Sequence, residues 1–561
     1  MFDYKANPFY LNDNEIKWVE DTYEGMSLEE KLGQLFCPIV FTKDEKELKE
    51  LVQEKHIGGM LYREGPGEEL RQAHKVLQDA AKIPLLTASN LEYGGNGSAI
   101  EGTYFGREML VAATQDTEKA YQLGKVSCSE GAAVGVNWSF APVVDLDQNY
   151  HNPITNVRTF GNDQQTVINM GKAYIKAAQE EGVATSVKHF PGDGVDERDQ
   201  HLLTSVNSLS CEEWDKTYGK IYEEMIEAGT LTVMAAHIAM PAYEEYFDKK
   251  PCERIIPATL SKNLMKHLLR EKLGFNGLIT TDATPMVGFC SAEERKKAVP
   301  LCIENGCDVI LFNRNMEEDM QYMADGYKNR ILSDERLEEA VKRILATKAA
   351  MKLPQKKAEG TLVPGSEALD LKCEKHDAWA KECADQGVTL VKDTQNLFPL
   401  NSEKQKRVLL EIMGDFPSNE RVTAYFKAKL EKEGFEVTVY EKEGFEVMED
   451  TVESFKSRYD LVLYLANIET ASNKTVSRLN WHTMFGLGNN MPWMVHELPV
   501  AFVSIGNPYH LLDAPMVKTY INGYCNSEYV MDAVVEKMMG RSEFKGKSPI
   551  DPFCGKIDLK F

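Results

Sequence analysis

At 561 residues the chain is too long for a single hydrophobic core, so two or more domains are expected. Its 43% hydrophobic and 27% charged content is that of an ordinary globular protein and excludes disordered and fibrous classes. A net charge of −23 argues against nonspecific binding to nucleic acid or to an anionic membrane, both of which draw on Lys and Arg.

Residues 1–12 have no apolar core behind a basic start, so no secretory signal is expected. No run approaches the roughly 18 to 20 apolar residues that span a bilayer. From residue 30 to 350, short apolar runs alternate with longer amphipathic stretches. The runs predict strands at 35–42, 57–62, 84–89, 135–144, 183–189, 231–237, 278–282 and 308–313. Between them the spacing predicts helices such as 165–180, with Val167, Met170, Ala173, Ile175 and Ala177 on one face. Eight strands alternating with helices point to an N-terminal (β/α)8 TIM-type barrel over residues 1–350. Its last helix is 331–348, N-capped by Ser333. A Lys-, Pro- and Gly-rich stretch, 351–365, opens a linker that runs to 375. The α/β alternation then restarts over 376–561, with strands at 388–392, 407–413, 435–440, 459–466 and 500–505 and a helix at 421–433. That pattern predicts a C-terminal α/β sandwich domain. Eleven cysteines form no C-x-x-C pair, and Cys37, Cys302 and Cys307 sit in apolar runs. They read as reduced thiols of a cytoplasmic protein, with no zinc or redox site.

Polar residues close the predicted barrel strands: Asn90, Asp145, Lys188 with His189, His237, Asp282 and Asn313. In a barrel that end carries the active site, although a single polar residue after a strand serves equally as a turn or cap. Segment 188–201, KHFPGDGVDERDQH, turns through Pro191, Gly192 and Gly194 and places Asp199 two residues from His201. An Asp that accepts an imidazole N–H fixes the tautomer and raises ring basicity, as a general acid/base requires. The same composition also suits a solvated acidic loop. Segment 268–289, LLREKLGFNGLITTDATPMVGF, delivers Asp282 to the same end. There a carboxylate can attack an anomeric carbon or cap the following helix. The stretch YGGNG at 93–97 lacks the spacing of a phosphate or dinucleotide loop and reads as a turn.

These two segments resemble glycoside hydrolase family 3, in its β-N-acetylglucosaminidase branch. The family's loop reads approximately K-H-F-P-G-H-G-x-x-x-x-D-S-H and matches 188–201 without a gap. Its nucleophile signature matches 268–282. Shorter matches include SLEEKLGQLF (27–36), APVVD (141–145), NVRTFG (156–161), MAAHI (234–238) and, past the barrel, GVTLVKD (387–393) and VSIGNPY (503–509). The resemblance implies Asp282 as nucleophile and His201 as acid/base with Asp199 as its partner. It further implies Lys188, His189, Arg158, Asp145 and Asn90 as the residues around the sugar. The implied reaction is retaining hydrolysis of terminal β-linked N-acetylglucosamine without metal or cofactor. Its substrate would be a small glycan such as an oligosaccharide or peptidoglycan fragment. A phosphorylase, a β-glucosidase and a non-catalytic sugar-binding protein are the alternatives. The sequence departs from the family's pattern at Asp193 (for His), Gln200 (for Ser), Asn90 (for an acidic residue) and Pro285.

Overall fold

Each predicted apolar run of the N-terminal region forms a strand. The computed structural model describes residues 2–414, 417–441, 451–481, 483–484, 487–488 and 490–561. The strands are β1 (Phe36–Cys37), β2 (Gly59–Leu61), β3 (Leu86–Ser89), β4 (Trp138–Ser139), β5 (Ala184–Phe190), β6 (Thr232–Ala235), β7 (Leu278–Ala283) and β8 (Val309–Leu311). All neighbours pair in parallel, from β2 through β7 in chain order, then β8 and β1. A parallel bridge between Ile39 and Leu61 joins β1 to β2 and closes the (β/α)8 barrel. The strands are largely buried because helices wrap the parallel sheet on its outer face and side chains fill the barrel within. All seven residues of β5 are buried, for example.

β1 and β4 are shorter than their apolar runs. Pro38 follows β1, and the cis Ala141–Pro142 bond follows β4. A proline has no N–H for the ladder, so pairing stops and resumes only as single bridges, Ile39 with Leu61 and Val143 with Lys188. The helix after β4 spans Gln164–Glu180 and buries Val167, Met170, Tyr174, Ile175 and Ala178 against the barrel. The helix Asp334–Ala350 starts where expected, with the Ser333 side chain accepting the Arg336 N–H. At the N-terminal end of β8, buried Asp308 accepts from Arg270 at 2.6 Å and from the Ile279 N–H at 2.8 Å. This pins β7 to β8 on the face of the barrel that serves stability.

The chain divides into two compact units. The first comprises Met1–Phe105, Ala120–Asn149 and Gln164–Asp377; the second comprises Gly106–Lys119, Tyr150–Asp163 and Ala378–Phe561. Residues 351–375 carry a helix, Leu353–Glu359, and group with the first unit. The second unit is an α/β sandwich built on a six-stranded sheet. Its strands are β9 (Thr389–Asp393), β10 (Arg407–Met413), β11 (Glu436–Val439), β12 (Leu461–Ala466), β13 (Val500–Ser504) and β14 (Thr519–Asn522). They lie in the order β9-β14-β13-β12-β10-β11, with only the β9–β14 pair antiparallel among the described residues. No helix of the described residues is long and apolar enough to cross a membrane.

Candidate active site

The parallel barrel strands all end at one mouth, and the predicted polar residues collect there: Asn90 after β3, Asp145 after β4, Lys188 and His189 on β5, His237 after β6, Asp282 on β7 and Asn313 after β8. Asp282 is partly exposed, and its Oδ1 accepts the Ala283 N–H at 2.7 Å. Burial works to raise its carboxyl pKa. The His189, His237 and His201 rings facing it together outweigh burial and hold Asp282 below the usual carboxylate range. It is therefore an anion at neutral pH.

The loop after β5 brings the dyad to this anion. Gly192, at φ +120°, makes its first turn, and a Cβ there would lie 2.1 Å from the Tyr218 ring. Beyond the turn, His201 Nδ1 donates to Asp199 Oδ1 at 2.6 Å, and the same oxygen accepts the His201 backbone N–H at 2.9 Å. Asp199 is buried while the His201 side chain is 24% exposed, so ring nitrogen Nε2 is left for an incoming group.

Behind the mouth, His189 Nδ1 donates to Asp145 Oδ2 at 2.6 Å. Asp145 Oδ1 accepts from the backbone N–H groups of His189, at 3.1 Å, and Asp193, at 2.8 Å. Asp145, expected at the sugar, is thus fully buried and orients His189 and the loop from behind. Asp193 enters this network through its backbone, and its Oδ1 accepts the Gly194 N–H at 2.7 Å. Lys188 Nζ meets Glu92 Oε1 at 2.6 Å, with both side chains at least nine-tenths buried. Glu92 lies two residues beyond the partly exposed Asn90, and its role was not legible from the spacing of the motifs. Pro285 is exposed. Arg158 lies on the short turn Asn156–Arg158, in the Tyr150–Asp163 segment that groups with the second unit, and its Nη1 donates to Ile154 O at 3.3 Å.

Two further residues matter here: His237, visible at a strand end but given no role, and Arg295, which no motif marked. His237 is fully buried. Its ring donates from Nε2 to Ala283 O at 2.9 Å and meets Thr259 Oγ1 at 3.0 Å through Nδ1. Burial pushes its pKa down despite the nearby Asp282, so the ring is neutral and serves as a strut. Arg295 donates to Thr284 O at 3.1 Å and Oγ1 at 2.9 Å, and is held by buried Asp319 at 2.6 Å. Thr284 in turn donates to Phe312 O at 2.6 Å, which ties the end of β7 to that of β8. Among the described residues no group of three or more His, Cys, Asp or Glu has metal-holding geometry.

A (β/α)8 barrel with an ionised carboxylate, oriented imidazoles and a buried lysine at its strand ends carries the groups of an enzyme's catalytic site. The chain belongs to glycosyl hydrolase family 3, whose N-terminal domain signature matches residues 27–347, and it is a glycoside hydrolase. It is 43% identical, over the full length of both chains, to a β-N-acetylglucosaminidase/β-glucosidase of Cellulomonas fimi. A β-hexosaminidase A of Pseudoalteromonas piscicida is 30% identical over 57% of this chain and 58% of its own. Among solved structures, the β-glucoside phosphorylase BglX superposes with a TM-score of 0.93 at 43% identity, covering 99% of each chain. A family 3 β-N-acetylglucosaminidase from a Paenibacillus species shares the fold, with a TM-score of 0.77 at 23% identity, over 94% of this chain and 99% of its own.

Proposed function

We propose that the chain removes terminal β-linked N-acetylglucosamine by a retaining double displacement. The observation that carries this reading is the oriented Asp199–His201 pair set against an ionised Asp282 at one mouth. An Asp282 oxygen forms a bond to the anomeric carbon as the bond to the leaving oxygen breaks, and His201 Nε2 gives its proton to that oxygen. Neutral His201 then takes a proton from the acceptor as it displaces Asp282, and the starting configuration is restored. Lys188, His189 and Asn90 are the residues we assign to sugar hydroxyls. The names of the relatives support β-N-acetylglucosaminides and β-glucosides as the substrate class. We place the reaction in the cytoplasm, on small GlcNAc-containing oligosaccharides or peptidoglycan fragments.

Phosphorolysis is the second reading, and one feature favours it. After giving up its proton His201 is neutral, whereas a carboxylate acid/base would be an anion that repels incoming phosphate. The β-glucoside phosphorylase BglX, alike over almost its whole length, points the same way.

The test is release of 4-nitrophenol from the N-acetyl-β-glucosaminide and the matched β-glucoside, with and without phosphate, and with the sugar product identified by NMR. Wild type is expected to prefer the N-acetylglucosaminide and to yield a β-configured product, and Asp282→Ala to lose at least about 10³-fold in turnover. Full activity in Asp282→Ala would remove the nucleophile assignment. A preference for the glucoside would remove the sugar assignment. A sugar 1-phosphate as the product would make the enzyme a phosphorylase.

A further inference from the structure

Gln200 stands between the two members of the dyad, where the family's loop carries Ser. It is buried, and its Oε1 accepts the backbone N–H of His237 at 2.8 Å. The His237 ring in turn donates to the carbonyl of Ala283, the residue after Asp282, at 2.9 Å. Two hydrogen bonds therefore connect the acid/base loop to the backbone of the nucleophile. The loop is held against the same segment at other points. The Val287 N–H donates to His201 O at 2.9 Å, and Thr204 Oγ1 donates to Gly288 O at 2.8 Å. Gly288 permits this approach, since a Cβ there would sit 2.5 Å from Gln200 O. A short parallel pairing of Ser205 with Ile238 anchors the loop's exit. A Ser hydroxyl on the same backbone, shorter by two heavy atoms, does not span the gap to the His237 N–H.

We infer that Gln200 is a positioning residue: through His237 and Ala283 it fixes the point at which His201 delivers its proton relative to Asp282. The inference rests on the acid/base assignment of His201. Proton delivery is sensitive to misplacement of this kind, because a shift of about 1 Å in a reacting group costs on the order of 10²-fold in rate. The backbone bonds from Val287 and Thr204 hold the loop in the absence of the Gln200 link, so the substitution is expected to alter aim more than folding.

The experiment compares kcat/KM, which reports formation of the glycosyl-enzyme, across aryl and alkyl N-acetyl-β-glucosaminides of rising leaving-group pKa. Gln200→Leu keeps the volume and removes the acceptor. It is expected to lower kcat/KM by roughly 10- to 100-fold for alkyl leaving groups and by less than about twofold for 2,4-dinitrophenolate, which departs without protonation. Gln200→Glu keeps an oxygen for the His237 N–H and is expected to restore most of the loss. Gln200→Asn, too short to reach, is the second variant should the Leu protein fail to fold, and is expected to behave as Leu does. An equal loss across all leaving groups, accompanied by a lower Tm, would overturn the inference in favour of a purely structural role. His201→Ala is the internal control. If it shows no leaving-group dependence, the acid/base assignment itself has failed; if it does while Gln200→Leu does not, only the positioning role has.

Discussion

Side chains that act together in this protein divide by how far apart they lie in the chain. Asp199 and His201 are two residues apart, so their pairing was legible from spacing, and the structure sets them 2.6 Å apart. Lys188 and Glu92 meet at 2.6 Å with both side chains buried, yet nothing local links a residue after β3 to one on β5. Such a pair has a measurable signature, because removing one partner strands the other charge in a low-dielectric site. Glu92→Ala is expected to destabilise the first unit by roughly 3–5 kcal/mol, read as a fall in the urea midpoint of its transition. Combining Glu92→Met with Lys188→Met is expected to recover most of that midpoint while activity stays lost, since an apolar pair can replace a buried ion pair but cannot bind a hydroxyl. Recovery of activity along with stability would remove Lys188 from the sugar site. Gln200 and His237 belong with the hidden group. His237 was visible as a polar residue after a strand and Gln200 as a departure within the loop, but the bond between them exists only once the loop has folded back.

Strands were legible where burial on both faces leaves a nearly unbroken apolar run, as in β12 and β13. Their ends were less so: β1 and β4 stop early because proline interrupts the ladder. β14 went unseen because TYIN mixes polar and apolar residues, and its burial comes from the neighbours β13 and β9 rather than from its own pattern. β10 presents the opposite case, an apolar run carrying one carboxyl, Glu411, that is 3% exposed. Burial raises its pKa from the ordinary 4.5 to about 9. Between those values the folded chain keeps a proton that the unfolded chain releases, so this group's contribution to stability falls as pH rises from about 4.5 to about 9. The penalty is present but small near pH 5 and reaches roughly 3 kcal/mol by pH 7, as an upper value. Glu411→Gln, neutral at every pH, is expected to melt close to wild type at pH 5 and increasingly above it towards pH 9. A constant difference in Tm across that range would show that Glu411 does not titrate on unfolding.

At the scale of the molecule, the sequence pattern predicts a barrel to residue 350, a linker over 351–375 and a second domain from 376, and the compact units part after Asp377. Two segments from the barrel's part of the chain, Gly106–Lys119 and Tyr150–Asp163, nevertheless group with the second unit. Grouping of that kind is three-dimensional, and a linear reading of hydropathy has no access to it. Cysteine chemistry is the property of the whole chain that sequence and structure both address. All eleven thiols are free; Cys37, Cys128, Cys302, Cys307, Cys383 and Cys525 are buried, and the other five are partly exposed. Burial pushes Cys128 and Cys302 up to about 12, so at pH 8 only about one such thiol in 10⁴ is the reactive thiolate even before access is considered. A neutral maleimide is the appropriate probe, since the net charge of −23 repels anionic reagents. Mass spectrometry is expected to count at most five adducts on the native protein and eleven after denaturation, with no reductant added in either case. Fewer than eleven in denaturant would mean that oxidation has joined thiols that the fold keeps apart. More than five on the native protein would mean that one of the two compact units opens under native conditions, and the position of the extra adduct would identify which.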